Sequence, residues 1–331
     1  MNRVFKAAWI VGVALVIALV FSAGAEPVAR AFAAAGLAGL AVVCLLRGVA
    51  IVAAGVGWFA VFPRSLRPRA LTCVEFRFLR EGASALLPFT VIGGNAIGAR
   101  ALALRGAPAS LAAASVIVDV LLQASTQALF TLVGLATLAA IGKAGGVDGT
   151  IAVVIACAVP ALVMFYFIQR PAGRRLVRSM LARAVGERDW LSFGAVEALS
   201  ARLDDIYARG GLLTASTIHM AVWFLGALEV WAMLAFIGLP AGYPEALVIE
   251  SLTQAIRGAA FAIPAGLGAQ EGGFVAIGAI FGVPPDVAIA MSLIRRVPDF
   301  VFGVPSLLAW QMLEGRNALS HRPVTGEAEG G

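Results

Sequence analysis

Six stretches of the chain, 5–24, 37–62, 111–140, 151–169, 213–238 and 287–312, are apolar over lengths that match a bilayer. A helix rises 1.5 Å per residue, so about 20 apolar residues cover the hydrocarbon core. Of 331 residues, 60% are hydrophobic and only 13% charged. Soluble domains lie nearer half and a quarter. A soluble globule, a disordered chain and a disulfide scaffold are thereby excluded. In lipid the backbone must satisfy itself, which helices do within one segment. The predicted fold class is an all-α polytopic membrane protein.

The basic residues then set the topology. Arg3 and Lys6 precede the first span, Arg64, Arg67 and Arg69 follow the second, and Arg316 and Arg322 follow the sixth. Arg170, Arg174, Arg175, Arg178, Arg183 and Arg188 follow the fourth. The opposite loops hold only Arg30 and Lys143. Positive residues stay inside, so both termini are expected in the cytoplasm of a bacterial cell, the protein sitting multi-pass in the inner membrane. The net charge of +6 is a topology signal on this reading, and no nucleic-acid partner is expected. Ala23-Gly24-Ala25 would suit a signal peptidase, but the loop charges require 5–24 to be retained. The 170–211 loop is cytoplasmic and carries an amphipathic stretch at 191–207. The polar tail, 313–331, is expected to be disordered.

Two further apolar stretches, 71–105 and 246–281, are cut by Pro and Gly and carry charges. The topology holds only if each returns to the side it entered from, so both are predicted to be re-entrant helical hairpins. A shift of 176 residues sets Pro88 on Pro264, Asn95 on Glu271, Gly106 on Gly282 and Pro108 on Pro284. It also sets span two on span five. Each half, 1–140 and 141–312, thus holds three spans and a hairpin. Three is odd, so the halves form an inverted repeat, a layout of secondary transporters.

Ionisable groups inside a membrane are costly and mark sites. Arg47 lies in span two and Glu229 in span five. Asp119, Gln123 and Gln127 share a face of span three. Arg295 and Asp299, four apart in span six, have a spacing that allows a pair, with Arg296 beside them. Arg77, Arg80 and Glu81 approach the first hairpin tip, Pro88–Asn95; Glu250, Gln254 and Arg257 approach the second, Pro264–Gly273. Broken helices free backbone N–H groups that can hold an anion, and arginines hold phosphate bidentately. Arg80, Glu81, Asn95, Arg257, Glu271, Arg295 and Arg296 are the candidate headgroup-binding residues. Arg47, Asp119, Gln123, Glu229 and Asp299 are candidates for lining or coupling the cavity, with structural pairing favoured for Arg47 and Glu229. His219 reads as a hydrogen-bonded packing residue.

Catalytic signatures are missing: there is no HExxH, GxSxG or Walker sequence. Cys44, Cys73 and Cys157 are isolated, and His219 and His321 lack ligand spacing, so no metal and no cofactor is expected. Asp204-Asp205 reads as a solvated face.

The strings LREGASALLPFTVIGGNAIGARAL (79–102) and GLGAQEGGFVAIGAIFGVPPDVAIAMSLIRRVPDFVFGVPSLLAW (266–310) resemble the lysylphosphatidylglycerol synthase/flippase transmembrane family. More narrowly they resemble its stand-alone branch associated with hopanoid biosynthesis. GAQEGG and SLIRR are the most specific marks. The resemblance implies a helical bundle with paired re-entrant elements that moves a lipid between leaflets. Two-domain relatives add an aminoacyl-transferase domain. This sequence stops about twenty residues after span six, so synthase activity is not expected. The expected function is a lipid translocase for a polar or hopanoid-type lipid. The alternatives are a membrane enzyme acting on headgroups through Asp204, Asp205 or Glu271, and a scaffold for lipid-modifying enzymes.

Overall fold

The computed structural model describes residues 25–87, 91–142, 193–239, 241–260, 263 and 266–320. Spans one and four, the tail beyond 320, loop residues 170–192 and parts of both hairpin tips lie outside the described residues. Those described are all-helical, with no strand.

Ten helices follow in order: α1 (Ala25–Val61), α2 (Ala70–Leu86), α3 (Val91–Leu104), α4 (Ala109–Ala140), α5 (Phe193–Arg209), α6 (Leu212–Ile237), α7 (Tyr243–Ala259), α8 (Ala269–Gly278), α9 (Pro285–Ile294) and α10 (Val297–Ser320). By length and hydropathy three of them can cross a membrane: α1, α4 and α6. Gly36 in α1 has φ 61°, a left-handed conformation open to glycine. It divides the element, so 37–61 is the straight segment that matches predicted span two.

The 176-residue shift reappears in the backbone. α1 ends at Val61 and α6 at Ile237. Gly106 and Gly282 both turn the chain at positive φ, 93° and 74°. Pro108 and Pro284 both stand extended immediately before α4 and α9. Packing repeats as well. α2 packs on α10 as α7 packs on α4, and α1 packs on α9 as α6 packs on α4. A β-carbon placed on Gly82 would lie 2.6 Å from Gly303 Cα. At the shifted position, one on Gly258 would lie 2.9 Å from Gln127 Nε2.

The equivalent helices α1 and α6 pack extensively and antiparallel. Arg47 meets Glu229, while Gly39 lies against Phe236 and Gly57 against His219. The predicted hairpins are antiparallel helix pairs. Arg80 bonds Asn95 across α2 and α3, and Arg257 and Thr253 lie against Gly266 and Gly273 across α7 and α8.

Two expectations are corrected. Span six is not one helix: it breaks into α9 and α10 at Arg295-Arg296. Pro298 has no N–H and its ring would strike the carbonyl four residues earlier, so it sits in the first turn of a new helix. The tail is not disordered from 313: α10 runs on to Ser320, helped by helix formers and by the Glu314 carboxylate accepting from Arg100 Nη2 at 3.1 Å.

The amphipathic stretch forms α5, whose Ile206 is fully buried beside Leu111 and Trp58. A second apolar cluster joins α1, α6, α7, α8 and α9 through Val43, Val230, Ile249, Phe274 and Ala288. Leu37, Leu45, Phe300 and Met312 are 60% or more exposed, giving α1 and α10 an outward apolar face suited to hydrocarbon.

Candidate functional site

Polar groups enclosed by these helices gather into three sets. The first centres on Asp119 of α4, whose side chain is fully buried. Its carboxylate accepts from Arg77 Nη1 at 3.1 Å and Gln123 Nε2 at 2.8 Å. Arg80 Nη1 lies 2.8 Å away as an ion pair, off the angle of a hydrogen bond. His219 Nε2, from α6, is 2.9 Å from Oδ1; a carboxylate only accepts, so the ring proton sits on Nε2. Arg77 also donates to Glu81 at 2.5 Å. Arg80 donates twice to Asn95 Oδ1, at 2.9 and 2.7 Å, and its guanidinium covers the Trp58 ring.

The second set centres on Arg295, at the break between α9 and α10. It forms a two-pronged bond to Glu250, with Nη2 to Oε1 at 3.0 Å and a shorter partner bond. Its Nε lies 3.0 Å from Glu229 Oε1. Arg47 Nη2 reaches the same oxygen from α1 at 3.1 Å. Gln254 Nε2 donates to Glu250 at 2.8 Å. Asp119 and Arg295 stand 176 residues apart, so they are the same position in the two halves with opposite charge.

The third set is Glu271, fully buried at the start of α8. Its Oε2 accepts the Gly268 N–H at 2.8 Å, so the carboxylate reaches back to the N-cap backbone of its own helix. Its Oε1 accepts from Ser292 at 3.0 Å and from Arg296 Nη2 at 2.7 Å. Asn95, its counterpart in the first half, takes an arginine in the same way.

Beside the sets, several charged side chains stay accessible. The Glu81 side chain is 46% exposed, and Arg47, Arg257, Arg296 and Asp299 are partly accessible. They come from α1 and α2 of one half and from α7, α10 and the α9–α10 break of the other.

The twelve candidate site residues fall in these sets or among these accessible charges. Arg295 and Asp299, whose spacing would allow a pair within one helix, do not pair: the break at 295–296 removes the helical i, i+4 geometry, and Arg295 meets Glu229 of α6 and Glu250 of α7. Arg77, Glu250, Ser292 and His219 carry more of the network than the sequence assigned to them. Their signal was present for Arg77 and Glu250 as charges next to the hairpins. For Ser292 there was none. Among the described residues no group of acidic, His or Cys side chains is arranged to hold a metal.

Apolar helices long enough to span a membrane, packed around buried charged groups, are those of a multi-pass membrane protein. The family model described as "Lysylphosphatidylglycerol synthase TM region" matches residues 9–306, and the chain belongs to that family. No curated protein and no solved structure matches it. The family points to a membrane lipid-related function.

Proposed function

We propose that the protein is a translocase that moves a lipid between the leaflets of a bacterial inner membrane. The observation that carries this reading is the group of accessible charged side chains, Arg47, Glu81, Arg257, Arg296 and Asp299, that both halves contribute to a membrane-spanning helical bundle. A polar headgroup crossing a bilayer needs wet, charged protein surface at depth, and the tails can remain in lipid. Six spans, two re-entrant hairpins and cytoplasmic termini complete the proposal. The antiparallel packing of α1 on α6 and the equivalent hairpins support an inverted repeat, in which the halves rock about these charged groups. No covalent step is assigned: Glu271, a carboxylate candidate for headgroup chemistry, has both oxygens engaged by Gly268, Ser292 and Arg296. A hopanoid-type lipid and association with lipid-modifying enzymes belong to the same proposal, through the family branch the sequence resembles.

The test is reconstitution of the full chain in vesicles carrying fluorescent phospholipids, with quencher added outside. Translocation predicts that the protected inner-leaflet pool becomes quenchable faster than in protein-free vesicles. An unchanged protected pool contradicts it.

A further inference from the structure

Two side-chain bonds join α4 of the first half to α6 of the second. His219 Nε2 stands 2.9 Å from Asp119 Oδ1, and Trp223 Nε1 donates to Thr126 Oγ1 at 3.0 Å. Phe130 stacks on Trp223 beside the second bond, which carries no titratable group. The first bond does. Imidazole is the side chain that ordinarily changes charge between about pH 5 and 8, and His219 is the one histidine among the described residues.

The ring is enclosed on every side. His219 is 1% exposed, and a β-carbon on Gly57 of α1 would lie 3.2 Å from both Cε1 and Nε2. Among the described residues Asp119 Oδ1 is met by His219 alone. Its Oδ2 takes Arg77 Nη1 at 3.1 Å, Gln123 Nε2 at 2.8 Å and the ion pair with Arg80 Nη1 at 2.8 Å. The proton on Nε2 points at the carboxylate, so Nδ1 is bare in the neutral ring, and it makes no hydrogen bond among the described residues.

The charged groups around the ring come from two helices. α2 supplies Arg77, Arg80 and Glu81, and α4 supplies Asp119, two of each sign. α1 presents Gly57 and Trp58, neither charged. The next charges on helices packed against α6 are engaged with one another. Arg47 of α1 and Arg295 at the end of α9 hold Glu229 of α6. Glu250 of α7, which lies against Gly226, holds Arg295 and Gln254. With His219 neutral the first set is balanced. A second proton, on Nδ1, adds a positive charge and a donor for which the enclosed set offers no acceptor, and a buried donor without a partner is costly.

We infer that the α4–α6 contact is a proton-sensitive clasp between the two halves, closed with a neutral His219 and loosened when the imidazole takes its second proton. The inference goes beyond the translocase reading and involves no lipid. The clasped chain excludes that proton and the unfolded chain accepts it, so stability falls as the pH falls through the imidazole range.

The test is thermal unfolding of the purified full chain in detergent, by scanning fluorescence, between about pH 7.5 and about pH 5.5. Wild type is expected to melt about 4 °C or more lower at the acid end. His219→Gln keeps an N–H donor for Asp119 and cannot titrate, so its melt is expected to hold nearly level. Trp223→Phe removes the other bond and is expected to melt lower at both ends with the wild-type dependence on pH. Every other titrating group is shared by wild type and His219→Gln, so the difference between their profiles belongs to His219. Parallel profiles overturn the inference. So does a wild type that gains stability in acid, as a fixed imidazolium–carboxylate pair would. Hydrogen exchange of wild type, read by mass spectrometry, decides the matter if His219→Gln does not fold. Corrected for the intrinsic rate, 115–130 and 215–227 are expected to open at least about threefold more often at the acid end, with α7 and α9 unchanged. Equal protection at both ends overturns the inference. Neither measurement reads lipid movement, so a failure of translocation leaves the clasp standing, and a failure of the clasp leaves translocation standing.

Discussion

Asp119 and Arg295, positions that the 176-residue shift sets on one another, carry opposite charges. Each is buried, and each is surrounded by groups of the other sign from neighbouring helices. The shift keeps the place of the hub and reverses its charge. His219 ties the first hub to α6, and Arg47 ties the second to α1. Both hubs therefore reach across the boundary between the halves.

Loss of either hub should destabilise the fold. Asp119→Asn leaves two guanidinium groups facing each other in a buried site. Arg295→Gln leaves two carboxylates. Breaking a buried pair costs about 3–5 kcal/mol, and both variants are expected to unfold in detergent well below the wild-type temperature. A scanning fluorescence melt that leaves either variant unchanged would mean the hub is not what holds the helices.

At Gly82 the neighbouring helix offers backbone rather than a movable side chain. The nearest atoms to an added methyl belong to Gly303, at 2.6 to 3.3 Å. Gly82→Ala must push α2 from α10, an overpacking of about 1–3 kcal/mol. Gly272→Ala, where nothing lies within 4 Å, is the control and should melt within a degree or two of wild type.

Glu271 anchors Arg296 and caps α8 at once. In Glu271→Gln the amide can still meet Ser292 and Gly268, but the charge on Arg296 loses its partner. The prediction is a lower melting temperature in detergent, since the partly buried Arg296 keeps its charge and loses the buried carboxylate that faces it. A melt equal to wild type would show that this pair does not hold α8 to the α9–α10 break.

Glu314 is held below the usual carboxylate range by hydrogen bonds from Arg100 and by that cation's charge. A carboxyl whose pKa is lowered on folding contributes stability above its unfolded pKa, about 4.3 for a glutamate. That contribution is lost as pH falls through the lowered value. The pair is largely exposed, so the effect is local rather than global. Hydrogen exchange of 310–318 is expected to quicken relative to Glu314→Gln only at acid pH. Parallel profiles at every pH would show the link to be idle.

Much of this architecture is legible in the sequence because prolines and glycines punctuate it. Pro108, Pro284, Gly106 and Gly282 set helix starts and turns by their own backbone limits, and the structure places them at matching points. The hairpins at 71–105 and 246–281 were visible for the same reason. Partners were harder. His219 and Asp119 are 100 residues apart, and their meeting depends on how α4 and α6 are rotated against each other, which hydropathy does not encode. The split of span six was signalled by Pro298 but masked by the surrounding apolar residues. The i, i+4 spacing of Arg295 and Asp299 makes a pair only in one unbroken helix, which the break at 295–296 removes. The opposite charge at positions 119 and 295 was available from the 176-residue shift itself.

The central claim is that lipid crosses between the two halves. It is tested most directly by fluorescent phosphatidylglycerol in vesicles containing the wild-type chain, read by quencher from outside. The account predicts exposure of the inner-leaflet pool in wild type and strong loss in Arg257→Gln. Exposure at the protein-free rate in wild type, or the wild-type rate in Arg257→Gln, would contradict it.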